Sequence, residues 1–307
     1  MNRSFEVYGL STGIITVGDS IADRVVAAAR TACRGFRDGD ILVLAETAVA
    51  TAEGNVITLS TITPSERAQE LAARYQMDPC TVEVVLQESD SIVGGIPGFL
   101  LCMKRGTLLP NAGVDASNAP PGCVTPLPEN PDHSALTIKR TIEDKTGSRI
   151  GVIIADSRTH AMRRGCSGVA IGSAGITAVI DDRGRSDLFG RKLEVTQRAV
   201  ADNIASAAEL VMGEADECIP AAIIRGLGMP IDDQTGLNQL LQKSVCSWVY
   251  SGKMQVHPDT GEWIQVTIPE PSFTKSQFIH STSVIFPFRS TPTLPFSMER
   301  TNPSFSR

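Results

Sequence analysis

The stretch that most constrains the fold is Ile150-Gly-Val-Ile-Ile-Ala155, an uninterrupted apolar run that stops at Asp156-Ser157. The run is far too short to cross a bilayer, and a short apolar segment of this kind reads as a buried strand. A carboxylate at the end of such a strand is held by the sheet behind it. Two further acidic clusters sit beside small residues: Asn111-Ala-Gly-Val-Asp115-Ala-Ser-Asn118, and Gly213-Glu214-Ala-Asp216-Glu217 shortly before Pro220. A hard divalent cation such as Mg²⁺ or Mn²⁺ takes oxygen ligands, usually one or two carboxylates together with substrate phosphates. Carboxylates drawn together from strand ends and tight turns meet that need, so the pattern points to metal-assisted phosphate chemistry.

Helices and strands are interleaved along the rest of the chain without regular alternation, which is an α+β pattern. Residues 19 to 33 read as a capped helix with Ile21, Val25, Val26 and Ala29 on one face. Strands are expected over 41–45, 56–59, 150–155, 169–172 and 176–180, and a hairpin over 92–109. Further helices are expected over 80–88, 134–146 and 194–211, with another opened by Thr63-Pro64-Ser65, where a Thr cap precedes Pro. From about residue 232 the character changes: 237–250 reads as a helix and 253–268 as a hairpin around Asp259-Thr-Gly261. The Ser-, Thr-, Pro- and Phe-rich residues 285–307 read as a weakly structured tail.

The bulk numbers narrow the class. The 307 residues are 42% apolar and 20% charged, enough for one large core or two modest ones. A net charge of −6 argues against nucleic acid as a partner. Met1 to Glu6 leads directly into charged, alternating sequence unlike a signal peptide, and no apolar run could span a membrane. The seven cysteines are odd in number and show no CxxC spacing, which fits a reduced, cytoplasmic setting.

Each motif also has a structural reading. Asp115 and Asn118 can bond their own backbone in a turn, Asp156-Ser157 can cap a helix, and Glu214–Glu217 can be a solvated loop. Gly168-Val-Ala-Ile-Gly172 reads as close packing of a strand or turn, and Cys166 as a small packing residue. Arg163, Arg164, Arg185 and Arg191 can grip phosphate bidentately or pair with Asp181, Asp182 and Asp187 at the surface. His133, His160, His257 and His280 are isolated. There is no Gly-x4-Gly-Lys-Ser/Thr phosphate loop and no HExxH.

Several blocks in order carry a family resemblance. They include Gly39-Asp-Ile-Leu-Val43, Thr51-Ala-Glu-Gly54, Asn111-Ala-Gly-Val-Asp-Ala-Ser-Asn118, Gly151-Val-Ile-Ile-Ala-Asp156, Gly184-Arg-x-Asp-Leu-Phe-Gly-Arg191 and Leu210-Val-Met-Gly-Glu214. With these the chain resembles the coenzyme F420-0:L-glutamate ligases, γ-glutamyl ligases that elongate the tail of the deazaflavin F420. The resemblance implies an α+β fold of two intertwined subdomains with mixed and antiparallel sheets over residues 1–231, assembled as a homodimer. Residues 232–284 are then an unplaced extension ahead of the tail. It also implies GTP, or ATP, as co-substrate, two Mg²⁺ or Mn²⁺ ions per site and K⁺ as an optional further cation. The implied reaction adds L-glutamate to F420-0 through an acyl phosphate, with charge on the transferring oxygens neutralised by metals and arginines. By resemblance Asp115, Asp156, Ser157 and Glu214 hold the metals, and Arg164, Arg185 and Arg191 are the catalytic cations. Gly9, Leu10, Thr47, Asn118, Met212, Gly213, Glu214, Ala215, Asp216, Glu217, Cys218 and Ile219 contact nucleotide.

Two positions depart from the family pattern. Thr51 stands where the family has a Lys touching the nucleotide, and Ser157-Arg-Thr-His160 where members carry a Thr-x-Gly-Arg type loop. They keep open an amide ligase of the same chemistry that joins a different acid and amine in specialised metabolism. A non-catalytic nucleotide-binding paralogue and a simple metal phosphohydrolase are the other classes; the first has no need of the metal carboxylates, and the second releases phosphate without an acceptor.

Overall fold

The computed structural model describes residues 4–159, 164–233, 236, 254–256 and 263–265. Its first part runs β1 (Glu6–Leu10), α1 (Ile21–Cys33), β2 (Ile41–Ala45), α2 (Glu46–Ala52), β3 (Ile57–Thr58), α3 (Glu66–Tyr75) and α4 (Pro79–Glu88). Next come β4 (Ser91–Ile96), β5 (Phe99–Lys104), β6 (Thr107–Pro110), β7 (Cys123–Val124), α5 (Pro131–Thr146), β8 (Gly151–Thr159) and β9 (Cys166–Ala174). The last are β10 (Val179–Asp181), β11 (Gln197–Ala199), α6 (Val200–Met212), β12 (Ala221–Arg225), β13 (Met254–Val256) and β14 (Trp263–Gln265). The expected helix 237–250, tail 285–307 and turn around Asp259-Thr-Gly261 lie outside the described residues, while β13 and β14, within the expected hairpin 253–268, pair antiparallel.

A mixed five-stranded sheet in the order β1-β12-β2-β8-β9 forms the larger core. β2 and β8 pair in parallel, and the sheet's other pairings are antiparallel. Successive side chains of a strand point to opposite faces, and here both faces are covered. Leu42, Leu44, Val152 and Ile154 pack with Val25 and Ala29 of α1 and Ile138 and Ile142 of α5. Ile41, Val43, Ile153 and Ala155 pack instead with Ala201, Ile204, Ala205 and Ala208 of α6. That is why these strands read as continuous apolar runs rather than alternating ones.

Residues 57–127 build a second, smaller core between α2 and α5. Ala68 and Leu71 of α3, Val82 and Val85 of α4, and Leu100 and Cys102 of β5 fill it, together with Ala112, Val114 and Val124. The sheet β4-β5-β6 and the pair β3-β7 frame it, so residues 92–109 form a three-stranded meander rather than a single hairpin. The fold is thus α+β with mixed and antiparallel sheets.

Local capping explains most displaced boundaries. Ser65, not Thr63, caps α3 by accepting the Ala68 N–H at 3.2 Å, which leaves Pro64 outside the helix. α5 starts at Pro131, earlier than expected, because the Asn130 side chain accepts the His133 N–H at 3.1 Å and Pro suits the first helical position. α6 begins only at Val200, since Gln197–Ala199 pair with β10. β8 does not stop at Ala155. Its parallel partner ends there, but β9 continues the ladder from Asp156↔Val169 to Thr159↔Cys166. Asp156-Ser157 therefore lies within a strand and caps no helix. Gly168, in β9, allows α6 to approach: a Cβ there would stand 2.6 Å from the Ala205 backbone.

One buried ion pair fastens the larger core. Arg225, at the end of β12, donates to both oxygens of Asp40 at 2.8 and 2.7 Å, and to the carbonyls of Cys33 and Gly35. Asp40 is 1% exposed. Among the described residues, no helix is long and apolar enough to cross a membrane.

Candidate active site

The parallel register of β2 and β8 creates the site. Ala45, the last residue of β2, pairs with Ala155 where the parallel ladder ends, so the next residues, Glu46 and Asp156, emerge side by side. Ligand sites of open sheets collect at such ends. A cavity of about 510 Å³ opens there, walled by both strand ends, Ile14, Asp115 to Asn118, the last turns of α6 and the 212–220 loop.

Each wall is locally determined. Asp115 exchanges two backbone hydrogen bonds with Thr125, at 3.0 and 2.7 Å, which ties the acidic loop to the stretch after β7. Asp115 Oδ1 accepts the Ser117 N–H at 2.9 Å, so the turn chemistry expected of this motif is present as well. Asn111 Oδ1 accepts the Leu100 N–H at 2.8 Å and anchors the loop to β5. Beyond α6 the chain folds back on itself at Gly213, where φ is +73° and a Cβ would lie 2.2 Å from the Glu217 carboxyl carbon. Only glycine fits that turn.

The lining is acidic throughout. Glu46, Asp115, Asp156, Glu209, Glu214, Asp216 and Glu217 all face it, and among the described residues no Lys or Arg lines it. The charge is visible in the acids themselves. Burial, then Asp156 and Asp115, push the Glu46 carboxyl well above the usual range. Burial also raises Asp156, against the pull of the Arg158 guanidinium 2.7 Å away. Glu209 rises to about 7 through burial and the neighbouring Glu214. The α6 C-terminus adds the negative end of its dipole. Ligand atoms of Cys166, Glu209 and Glu214 lie within 4.8 Å of one another. Seven crowded carboxylates with one basic partner among the described residues, Arg158 on Asp156, fit a divalent cation, whose charge reverses this pKa logic.

Glu209 gives the site a pH signature in metal-free protein. Its native pKa stands above that of the unfolded chain, so the folded state binds more protons between about pH 4.5 and 7. Stability should fall as pH rises through that window. Melting curves of chelator-treated protein should show a lower Tm at pH 8 than at pH 5.5, and Glu209→Gln should narrow the difference. An equal gap in that variant would remove Glu209 as its source.

The residues expected from the sequence divide into two groups. Thr47, Asp115, Asn118, Asp156, Ser157 and the loop Met212 to Ile219 all line the cavity. Gly9 and Leu10 do not: they belong to β1, where Leu10 is fully buried and Gly9 packs beneath Ile219. Arg164, Arg185 and Arg191 are also absent from the lining. Arg164 is exposed at the turn between β8 and β9. Arg185 pairs with Asp182, and Arg191 belongs to the arm between β10 and β11 whose tip exposes Leu188 (98%) and Phe189 (94%). Thr51, the departure from the family Lys, does line the cavity. The sequence reading missed Glu46 and Glu209. Glu46-Thr47 follows an apolar run of sequence just as Asp156-Ser157 does, a signal open to detection; Glu209 is an ordinary helical residue and carried none.

Comparison with known proteins covers the part of the chain that builds this cavity. The model of the family F420-0:Gamma-glutamyl ligase matches residues 9–226, which include every lining residue named above. A protein of Methanothermobacter thermautotrophicus named coenzyme F420:L-glutamate ligase is 46% identical over 214 residues, 69% of this chain and 85% of its own. One of the same name from Methanopyrus kandleri is 47% identical over 211 residues, 68% of this chain and 82% of its own. Another from Methanocaldococcus jannaschii is 43% identical over 242 residues, 78% of this chain and 95% of its own. The chain belongs to the F420-0:gamma-glutamyl ligase family and is an enzyme, a ligase that forms a carbon–nitrogen bond.

Proposed function

We propose that this ligase adds L-glutamate to F420-0 at the expense of a nucleoside triphosphate, GTP in the first instance, through an acyl phosphate on the acceptor carboxylate. The observation that carries the reading is the lining of seven carboxylates, with no Lys or Arg beside them among the described residues. A triphosphate cannot enter such a cavity without cations to offset the charge. Asp115, Asp156, Ser157 and Glu214 would hold Mg²⁺ or Mn²⁺, with Glu46 and Glu209 close by. Such ions, when bound, neutralise charge on the transferring phosphoryl group.

The chain's own residues account for the remaining demands. Thr47, Asn118 and the loop from Met212 to Ile219 position the nucleotide, the last held in shape by the turn at Gly213. The acceptor carboxylate attacks the γ-phosphorus as the bond to the β-phosphate oxygen breaks and the nucleoside diphosphate leaves, and the amine of glutamate then displaces phosphate from the acyl carbon. An amine must lose a proton as it attacks, and Glu209, on the cavity wall beside Glu214, is placed to receive it. The exposed apolar tip Leu188-Phe189 supports a homodimer in which it is covered, and Arg185 and Arg191 lie on the same arm.

The reaction is tested by mass spectrometry of the purified chain incubated with F420-0, L-glutamate, Mg²⁺ or Mn²⁺ and either GTP or ATP. A product heavier by one or more glutamyl residues is expected with GTP. No such product from folded, metal-binding protein would overturn the assignment. Thr51 in the lining favours a second reading, ligation of a different acid and amine; phosphate release provoked by other carboxylic acids with amines, and not by F420-0, would support it.

A further inference from the structure

Among the described residues, one ion pair involves the lining carboxylates: Arg158 Nε donates to Asp156 Oδ2 at 2.7 Å. The two residues are two apart on β8 and share a face of the sheet. Neither side chain is more than 15% exposed, so water screens the pair weakly. Arg158 itself does not line the cavity. It acts on the site through Asp156.

We infer that Arg158 is a positioning residue that makes cation binding depend on nucleotide, by occupying one oxygen of Asp156 and opposing a divalent ion that reaches the other. This rests on the metal-assisted reading above. Without Arg158, seven carboxylates around one cavity would form a trap for divalent ions, filled whether or not a substrate is present. With it, an ion that uses Asp156 sits close to a guanidinium in a weakly screened setting. The phosphates of a nucleotide bring enough negative charge to offset both. Ion and nucleotide are then favoured together over the ion alone, a coupling that linkage makes reciprocal. Arg158 also keeps the Asp156 side chain in one orientation, so the ligand is pre-set when the pair arrives.

The experiment uses the full chain with Mn²⁺ and GDP as probes, and follows free Mn²⁺ by electron paramagnetic resonance. In the unaltered protein, GDP should tighten Mn²⁺ binding by about tenfold or more. Arg158→Met keeps much of the side-chain bulk but removes the charge. It should bind Mn²⁺ about tenfold more tightly than the unaltered protein without GDP, and the effect of GDP should shrink to about threefold or less. Arg158→Lys should restore most of the coupling, which a merely space-filling residue would not do. Arg158→Gln takes the place of the Met variant if that one does not fold. Unchanged or weaker Mn²⁺ binding by the uncharged variant overturns the inference. Asp115→Asn separates this failure from a larger one: if it binds Mn²⁺ as well as the unaltered protein, or if neither binds, the metal-assisted reading falls too. If Mn²⁺ binding needs Asp115 but ignores Arg158, the inference alone falls.

Discussion

Asp115→Asn should lower ligase turnover by roughly a hundred- to a thousandfold, the loss typical when one group that stabilises transition-state charge is removed. The substitution is mild for the fold. Asn keeps an oxygen able to accept the Ser117 N–H, and the two backbone bonds to Thr125 do not involve the side chain. What disappears is a negative charge at the edge of a cavity where Asp156 and Glu46 already register it. Turnover measured beside a thermal melt separates the two effects. A folded variant with a third or more of the original rate would mean that Asp115 shapes the loop and serves no cation.

Asp40→Ala should be the most damaging change outside the site, by about 3–5 kcal/mol. Removing Asp40 leaves the Arg225 guanidinium enclosed at the end of β12 without a counter-charge, against the Cys33 and Gly35 carbonyls, the Cys33 sulfur and the Tyr8 ring. An uncompensated buried charge costs more than the pair contributes when intact. The pair also joins β12 to the segment leading into β2, next to it in the sheet, so the loss reaches the strand that presents Glu46. Urea unfolding of both proteins is the measurement. If the midpoint barely moves, the pair is dispensable. Asp40→Ala with Arg225→Met should recover much of the loss, since hydrophobic replacement of a whole buried pair is often neutral.

The two substitutions differ in how far the sequence announced them. Asp115 stands in a motif whose residue types suggested a ligand, and the cavity contains it. Asp40 stood in a Gly-Asp turn, and nothing in the chain indicated an arginine far along the sequence as its partner. The same contrast runs through the site. Asp156 and Glu214 were visible as acids beside small residues, whereas Arg185 and Arg191, expected at the chemistry, lie on an arm away from the cavity wall.

Short-range physics explains what the chain determined by itself. Apolar runs at Ile41–Ala45 and Ile150–Ala155 declare buried strands, and Ser20 before an apolar-periodic stretch declares the start of α1; these depend on neighbours a few residues away. The tertiary structure decided which strand ends meet. The parallel register of Ala45 with Ala155 places Glu46 beside Asp156, and packing of α6 across β9 at Gly168 brings Glu209 and Glu214 to the same opening. Such strand pairing and helix packing join residues from tens to more than a hundred positions apart, and the charge each raised acid feels depends on what those contacts assemble. Local periodicity therefore revealed the elements, while the charge of the cavity, and the need for cations that follows from it, arose only when the elements were packed together.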